Sequence, residues 1–297
     1  MEQATNIRAF TTPRQMKLTM PGLNLKLGII GRGFVGGAVA NGFETDTVDT
    51  FVVDPRFSEL TAMDLVELNP DVMFICLPTP TRKTATADGP VGSVNADLIR
   101  DTLKTLNKEK YEGVVVVKST VAPSVLEGFV NTFTQLQIVY NPEFLTEANA
   151  NDDFINPPFQ IFGGDWDACT KVEQMYTKHS LVKPVPSFKL DIKAASFLKY
   201  TMNSWLATKV VFFNELRQLY NTYSMNTPWE EFIGILAHEP RIGPSHMNVP
   251  GPDGQFGFGG NCFPKDTKAF VEESRNNSML ELLERAIQLN DTYRVDK

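Results

Sequence analysis

Cys262 stands in the run Gly257-Phe258-Gly259-Gly260-Asn261-Cys262-Phe263-Pro264-Lys265-Asp266. The glycines leave room for a substrate to approach the backbone, and Pro264 suits the first turn of a helix. Cys262 is thereby expected at or beside a helix N-terminus, a position that favours a thiolate. Asp266 follows by four residues and shares the helical face, where it can accept a proton or orient a water. A thiolate with a nearby proton acceptor is equipment for covalent catalysis at a carbonyl carbon. A buried structural cysteine is the competing reading, but a glycine-rich loop makes a poor core.

Two further groupings bear on the same chemistry. Lys199 and Asn203 are four apart in a helical pattern and project together, a pair able to stabilise an alkoxide or a thiohemiacetal oxyanion. A solvated helix face is the alternative. The segment Tyr140-Asn141-Pro142-Glu143-Phe144-Leu145-Thr146-Glu147 follows a strand pattern and offers two carboxylates. One could activate a water; alternatively both are first-turn acids that complement a helix dipole.

Gly31-Arg32-Gly33-Phe34-Val35-Gly36 follows an apolar strand and opens a helix, with Asp54 placed 18 residues past the last glycine. In that context the glycines permit a tight turn, close approach of a pyrophosphate and close helix–strand packing. Asp54 would accept hydrogen bonds from the adenosine ribose, which favours NAD over NADP, while Arg56 weakens that preference a little. Pro78-Thr79-Pro80 and Ser119-Thr120 follow the third and fourth strands. Ligands in open α/β sheets sit outside such strand ends, so these residues would line a ribose–nicotinamide channel.

The elements that must position these groups alternate. Strand patterns occur at Lys26–Ile30, Thr50–Val53, Val72–Leu77, Val114–Val117, Gln137–Tyr140 and Gln160–Phe162. Helical patterns lie after Gly33 to about Phe43 and at about 61–68, 94–107, 122–134 and 165–178. Strands apolar on both faces, separated by helices, predict an α/β fold with a Rossmann-like, doubly wound parallel sheet. From 187 to Tyr223 runs one long helical pattern, followed by a helix with Thr227 as cap and Pro228 in its first turn. A Gly-, Pro- and Asn-rich loop spans 238–262, and two helices close the chain. The expected division is a leader at 1–24, a dinucleotide-binding domain at 25–186 and a helical domain with the cysteine loop at 187–297. Trp205, Phe212, Phe213 and Tyr220 give the long helix more apolar surface than one sheet edge needs, which points to a homodimer contact or to burial within its own domain.

Lys plus Arg is 28 and Asp plus Glu is 35, a net charge of −7. With no basic block, nucleic acid and anionic membranes are poor partners. Three scattered cysteines without CxxC spacing argue against a disulfide framework or zinc site and fit a reducing, cytoplasmic setting. Residues 1–24 lack the apolar core of a signal peptide, and no apolar run approaches membrane-spanning length.

Together GFGGNCFPKD, NPEFLTE and the Lys199/Asn203 spacing resemble the UDP-glucose/GDP-mannose dehydrogenase family over about residues 25–297. The resemblance implies an NAD-dependent, four-electron oxidation of a nucleotide sugar, UDP-glucose being the first choice, through a covalent cysteine intermediate. It implies that Cys262 is the nucleophile, that Asp266 and Thr120 order a water, and that Lys199 and Asn203 hold the oxyanion. Glu143 would be the general base for thioester hydrolysis and Glu147 a neighbour of the cofactor. Phe144, Leu145 and the stretch 253–259, including Phe256, Phe258 and Gly259, would hold the sugar nucleotide. Arg241 would reach the substrate of a neighbouring subunit, which requires a dimer. The family pattern continues into a third domain, which on this reading the sequence lacks; the loop Pro244–Gln255 would compensate in part, or a partner chain would supply the domain, or the substrate would bind weakly.

Two rival readings stay open at this point. A two-electron dehydrogenase of the hydroxyacid type shares the glycine motif and a Lys…Asn pair but needs no cysteine in a glycine-rich loop. A nucleotide-binding subunit without turnover would bind NAD and leave every sugar unoxidised.

Overall fold

The computed structural model describes residues 24–86, 89–275 and 277–294, without the side chain of Glu147. The expected leader, apart from Asn24, lies outside the described residues. The chain falls into two compact units that are not consecutive stretches. One comprises the residues through Leu77 with Ile99–Ser119 and Thr132–Lys189; the other comprises Pro78–Leu98, Thr120–Asn131 and the residues from Leu190 onward.

The first unit is built on a sheet of seven strands in the order β2-β1-β3-β4-β5-β6-β7. These are β1 Leu25–Ile30, β2 Val48–Val53, β3 Val72–Ile75, β4 Val114–Val117, β5 Gln137–Tyr140, β6 Gln160–Gly164 and β7 Ser187–Leu190. β3 and β4 are buried along their whole length, as expected for strands covered on both faces. Burial of each such aliphatic side chain contributes roughly 1.5–3 kcal/mol. Pairing is parallel from β2 through β5. β1 has β2 on one side and β3 on the other, so the chain reverses its direction of travel there and opens a crevice at the strands' carboxyl ends.

The helices around this sheet are α1 Phe34–Gly42, α2 Ala62–Leu68, α3 Asp97–Lys108, α5 Ala150–Ile155 and α6 Trp166–His179. Thr61 and Asp64 form a reciprocal capping box at α2, and Asp165 caps α6 by accepting from Asp167 N and Ala168 N. The unit's core joins Leu27, Ile29, Val39, Phe74, Val116 and Phe162 among others, with Phe43 and Tyr176 rings 5.1 Å apart.

The second unit carries α4 Pro123–Thr132, the 31-residue α7 Ile192–Thr222, α8 Trp229–Leu236, α9 Phe263–Ser274 and α10 Glu281–Tyr293. α7, α9 and α10 pack on one another, and Tyr200 stacks on Phe270 at 5.4 Å within that core.

Three expectations need correction. The sheet is not parallel throughout: β6 runs antiparallel to β5, with Tyr140 opposite Gly163, an arrangement that needs no crossover helix over the sheet face between the two strands. The long helix begins at Ile192, not 187. Asp191 takes the N-cap and accepts from Ala194 N at 2.9 Å, which frees 187–190 to form edge strand β7. Pro228 is itself the N-cap of α8 and lies outside its first turn, with no side-chain cap from Thr227; the Thr227 carbonyl instead accepts from the Tyr220 hydroxyl at 2.6 Å. Among the described residues, no helix is long and apolar enough to cross a membrane.

Candidate active site

In the sheet unit the glycine motif occupies the turn from β1 into α1. Gly31 has φ +88, and a Cβ there would lie 2.6 Å from the Cys76 carbonyl oxygen at the end of β3. At Gly36 a Cβ would come within 1.9 Å of the Gly31 oxygen. Both positions therefore exclude any side chain. Gly33 is different: it is the exposed N-cap of α1, and a Cβ there meets nothing within 4 Å. Phe34 and Val35 follow in the first turn, Phe34 exposed and Val35 half-buried. The free amides of the first turn and the open space over Gly33 fit the pyrophosphate of a dinucleotide.

Asp54 sits just past β2 with its side chain buried, and its carboxylate is heavily used. Oδ2 accepts from Arg32 N at 2.7 Å and Arg56 Nη2 at 3.0 Å; Oδ1 accepts from Arg56 N and Arg56 Nε, both at 3.0 Å. The side-chain bond from Arg56, helped by the backbone N–H groups, outweighs burial and holds this carboxyl well below the usual aspartate range.

At the ends of β4 and β5 the sheet unit buries a polar network. Lys118 Nζ donates to Asn141 Oδ1 at 2.9 Å, Tyr176 Oη to the same oxygen at 2.8 Å, and Asn141 Nδ2 to the Ile161 carbonyl at 2.8 Å. This network fixes the start of the segment that carries Glu143, which is buried and accepts from Leu145 N at 2.8 Å. Ser119 Oγ donates to the Leu77 carbonyl at 2.7 Å. A cavity of about 150 Å³ is lined by Lys118, Asn141, Glu143, Phe144, Leu145 and Phe159 among others, with the Phe144 and Phe159 rings 5.6 Å apart. Glu147 begins a single 3-10 turn, Glu147–Asn149, and the role expected of its side chain lies outside the described residues.

The helical unit gathers five of the six expected chemical groups. Cys262 is the half-buried N-cap of α9, with Pro264 inside the first turn. Its carbonyl accepts from Asp266 N at 2.8 Å. Asp266 is fully buried; Asn203 Nδ2 donates to its Oδ2 at 2.6 Å, and Lys265 pairs with Oδ1. Lys199 is 2% exposed, one turn before Asn203 on α7. Ser196, on the same face, donates to the Val121 carbonyl at 2.6 Å, which holds the buried Thr120 beside that face of α7. Lys199, Asn203 and Asp266 are thus interior groups, and the solvated-face reading of the lysine pair is set aside. Pro78 and Pro80 are exposed and Thr79 buried in this unit, with the Pro80 carbonyl accepting from Asn95 N at 2.8 Å.

The cysteine loop divides by exposure. Phe256 is exposed, whereas Phe258 is buried with Ala207, Val211 and Ala286. Phe258 is tied through both backbone groups to the Asn290 amide, at 2.6 and 3.0 Å. Gly259 lies against Arg294, whose Nη1 would stand 2.6 Å from a Cβ there. Arg241 is exposed and held bidentately by Glu239, at 2.7 and 3.0 Å.

Lys118, Lys265, Tyr176 and Arg32 went unread in the sequence. Lys118 directly precedes Ser119-Thr120 and Lys265 precedes Asp266, so the signal for both was a lysine adjoining an apolar strand end or a candidate acid. Tyr176 carried no local signal, because only the fold brings α6 over β5. The other two cysteines are buried, and burial pushes the thiol of Cys76 up to about 12 and that of Cys169 up to about 11.

Residues 56–180 match the NAD binding domain of the UDP-glucose/GDP-mannose dehydrogenase family, and residues 193–292 match that family's central domain. A UDP-glucose 6-dehydrogenase of Haloferax volcanii is 27% identical, over 90% of this chain and 70% of its own length. Another, from Bacillus subtilis, is 28% identical over 82% of this chain and 54% of its own length. The chain therefore spans little more than half to about two thirds of these relatives. A UDP-glucose dehydrogenase from Pyrobaculum islandicum has the same fold, with a TM-score of 0.75 at 24% identity, covering 93% of this chain and 70% of its own.

Proposed function

The chain belongs to the UDP-glucose/GDP-mannose dehydrogenase family, and from that premise we propose that it is an NAD-dependent nucleotide-sugar 6-dehydrogenase with UDP-glucose as first-choice substrate. The observation that carries this reading is the interior cluster of Asn203, Asp266 and Lys265 one turn below a half-buried Cys262 at a helix N-terminus. A two-electron hydroxyacid-type reaction has no use for that cysteine.

The first turn of α1 and Asp54 would hold the pyrophosphate and the adenosine ribose, with Gly33 leaving the backbone bare. When bound, NAD accepts a hydride in each of two oxidations, so two NADH are expected per sugar. Cys262 is the nucleophile: its sulfur forms a bond to the C6 aldehyde carbon, and the carbonyl electron pair moves onto oxygen. Lys199 and Asn203 donate to that oxyanion. Asp266 holds the Asn203 amide at 2.6 Å and, with Thr120, orders a water. Once the carbon has become a thioester, water adds to it, Glu143 takes one of the water's protons, and the carbon–sulfur bond breaks to give a free thiolate and the uronic acid, which ionises to the uronate by releasing its proton to solvent. Phe144, Leu145, Phe256 and the rest of the 253–259 backbone form the substrate contacts, while both backbone groups of Phe258 are held by the Asn290 amide.

A homodimer is part of the proposal. Trp205, Phe212 and Leu219 are exposed on α7 at seven-residue steps, the spacing of a helix-packing stripe. Arg241 would then serve the neighbouring subunit, and the mass in solution tests this part.

The decisive experiment is a screen for NADH production across UDP-glucose, GDP-mannose and UDP-N-acetylmannosamine, with the acid identified by mass. Two NADH per acid supports the proposal. One NADH with a stable aldehyde or ketone, or NAD binding without turnover on any sugar, overturns it.

A further inference from the structure

We infer that the adenosine end of the dinucleotide site also accepts a 2′-phosphate, so that NADP binds within about tenfold of NAD, a gap of about 1.4 kcal/mol. The inference rests on the dinucleotide reading of the glycine turn and on the charges around Asp54. A carboxylate at this position ordinarily repels a 2′-phosphate. Here it is neutralised in place: Arg56 grips it through Nε and Nη2, each at 3.0 Å. Neither bond uses Nη1, which has no hydrogen-bond partner among the described residues and remains available to an anion.

Arg32 supplies a second cation. Its backbone N–H is spent on Asp54 at 2.7 Å, but its guanidinium bonds to no described acceptor. It rests on the exposed Phe57 ring, 4.9 Å from the centroid, and the Arg56 guanidinium lies 5.3 Å from the same centroid. Asp54 is paired with the Arg56 guanidinium, and the Arg32 guanidinium shares the Phe57 ring with it, so two cations accompany one carboxylate in this stretch. Phe57 holds both guanidinium groups by cation–π contact. A ribose hydroxyl pair must compete with Arg56 for the Asp54 oxygens. A 2′-phosphate meets no such competition, because it accepts from Nη1 and from Arg32 with the Arg56–Asp54 pair intact.

Calorimetric titration of the full chain with NAD, NADP, 5′-AMP and 2′,5′-ADP tests this without turnover. Expected is 2′,5′-ADP binding at least as tightly as 5′-AMP, with its affinity falling as salt rises. Arg32→Ala and Arg56→Ala should each raise the preference for NAD over NADP about tenfold, the loss of one charge-assisted contact. NADP binding more than about a hundredfold weaker than NAD overturns the inference, as do variants that leave the preference unchanged. In both of those cases NAD binding itself remains, and the dinucleotide reading survives. If neither NAD nor 5′-AMP binds, both fall together.

Discussion

In the sheet unit, the groups that would meet the cofactor are mostly backbone. Gly31 and Gly36 are fixed by atoms 2.6 and 1.9 Å from where a Cβ would stand, and Gly33 faces open space. In the helical unit the chemistry belongs to side chains held in the interior. Asp266 has no exposed surface, Asn203 donates to it at 2.6 Å, and Lys199 is 2% exposed. A backbone cradle tolerates wide variation in side chains but no added carbon. A side-chain cluster tolerates backbone change but no exchange of chemical type. The two regions should therefore fail differently when altered, the first by geometry and the second by function.

The largest contrast is expected at Cys262. Cys262→Ser should lower acid production by at least about 10³-fold, the scale seen when a covalent nucleophile is removed, and leave the melting temperature nearly unchanged because the residue is only half-buried. Acid production at the original rate breaks the contrast and removes the cysteine from the chemistry. A large loss of melting temperature would recast Cys262 as structural.

The glycine pair sharpens the same comparison from the other side. Gly36→Ala drives a methyl into the Gly31 carbonyl, and overpacking against backbone costs about 1–3 kcal/mol. A melting temperature lower by several degrees is expected along with weaker NAD binding. Gly33→Ala adds a methyl that meets no protein atom within 4 Å, so stability should hold while NAD binding weakens about tenfold through lost approach to the pyrophosphate. Unchanged NAD affinity in Gly33→Ala would show that the pyrophosphate lies elsewhere.

The same contrast explains what the sequence made legible. A glycine turn is local, and Gly31, Gly33 and Gly36 with Asp54 declare themselves by spacing, because strand, turn and helix follow one another without interruption. The four-residue steps Lys199–Asn203 and Cys262–Asp266 were also visible, since each lies within one helix. The bond from Asn203 to Asp266 was not, because it spans 63 residues and depends on how α7 packs on α9. β7 was lost to the long helix because no Pro or Gly separates 187–190 from the helical pattern, and only the Asp191 cap divides the two. The antiparallel course of β6 was hidden because strand direction depends on the connection and not on the strand's own residues. Phe258 looked like a substrate contact by its place in a glycine-rich loop, yet the Asn290 amide turns it inward.

The smallest effect expected is within the sheet unit at Asp54, where a side chain completes the backbone cradle. Asp54 is depressed in the fold chiefly by the Arg56 side chain, whereas an unfolded chain titrates near 3.9. Between those two values the unfolded state binds a proton that the folded state refuses. The stability supplied by ionised Asp54 is therefore fully present above pH 4 or so and is lost progressively as pH falls through the folded value. Asp54→Asn should melt a few degrees below the parent at pH 7, by about the same margin at pH 5, and by a clearly smaller margin at pH 3. A margin that stays constant down to pH 3 would mean that Arg56 stabilises the ionised form no better than water does. It would also remove the neutralised carboxylate on which tolerance of a 2′-phosphate depends, because an Arg56 that does not hold Asp54 leaves a bare negative charge facing the ribose. The melting series thus reads, without any ligand, the same pairing that the NAD and NADP titrations read through binding.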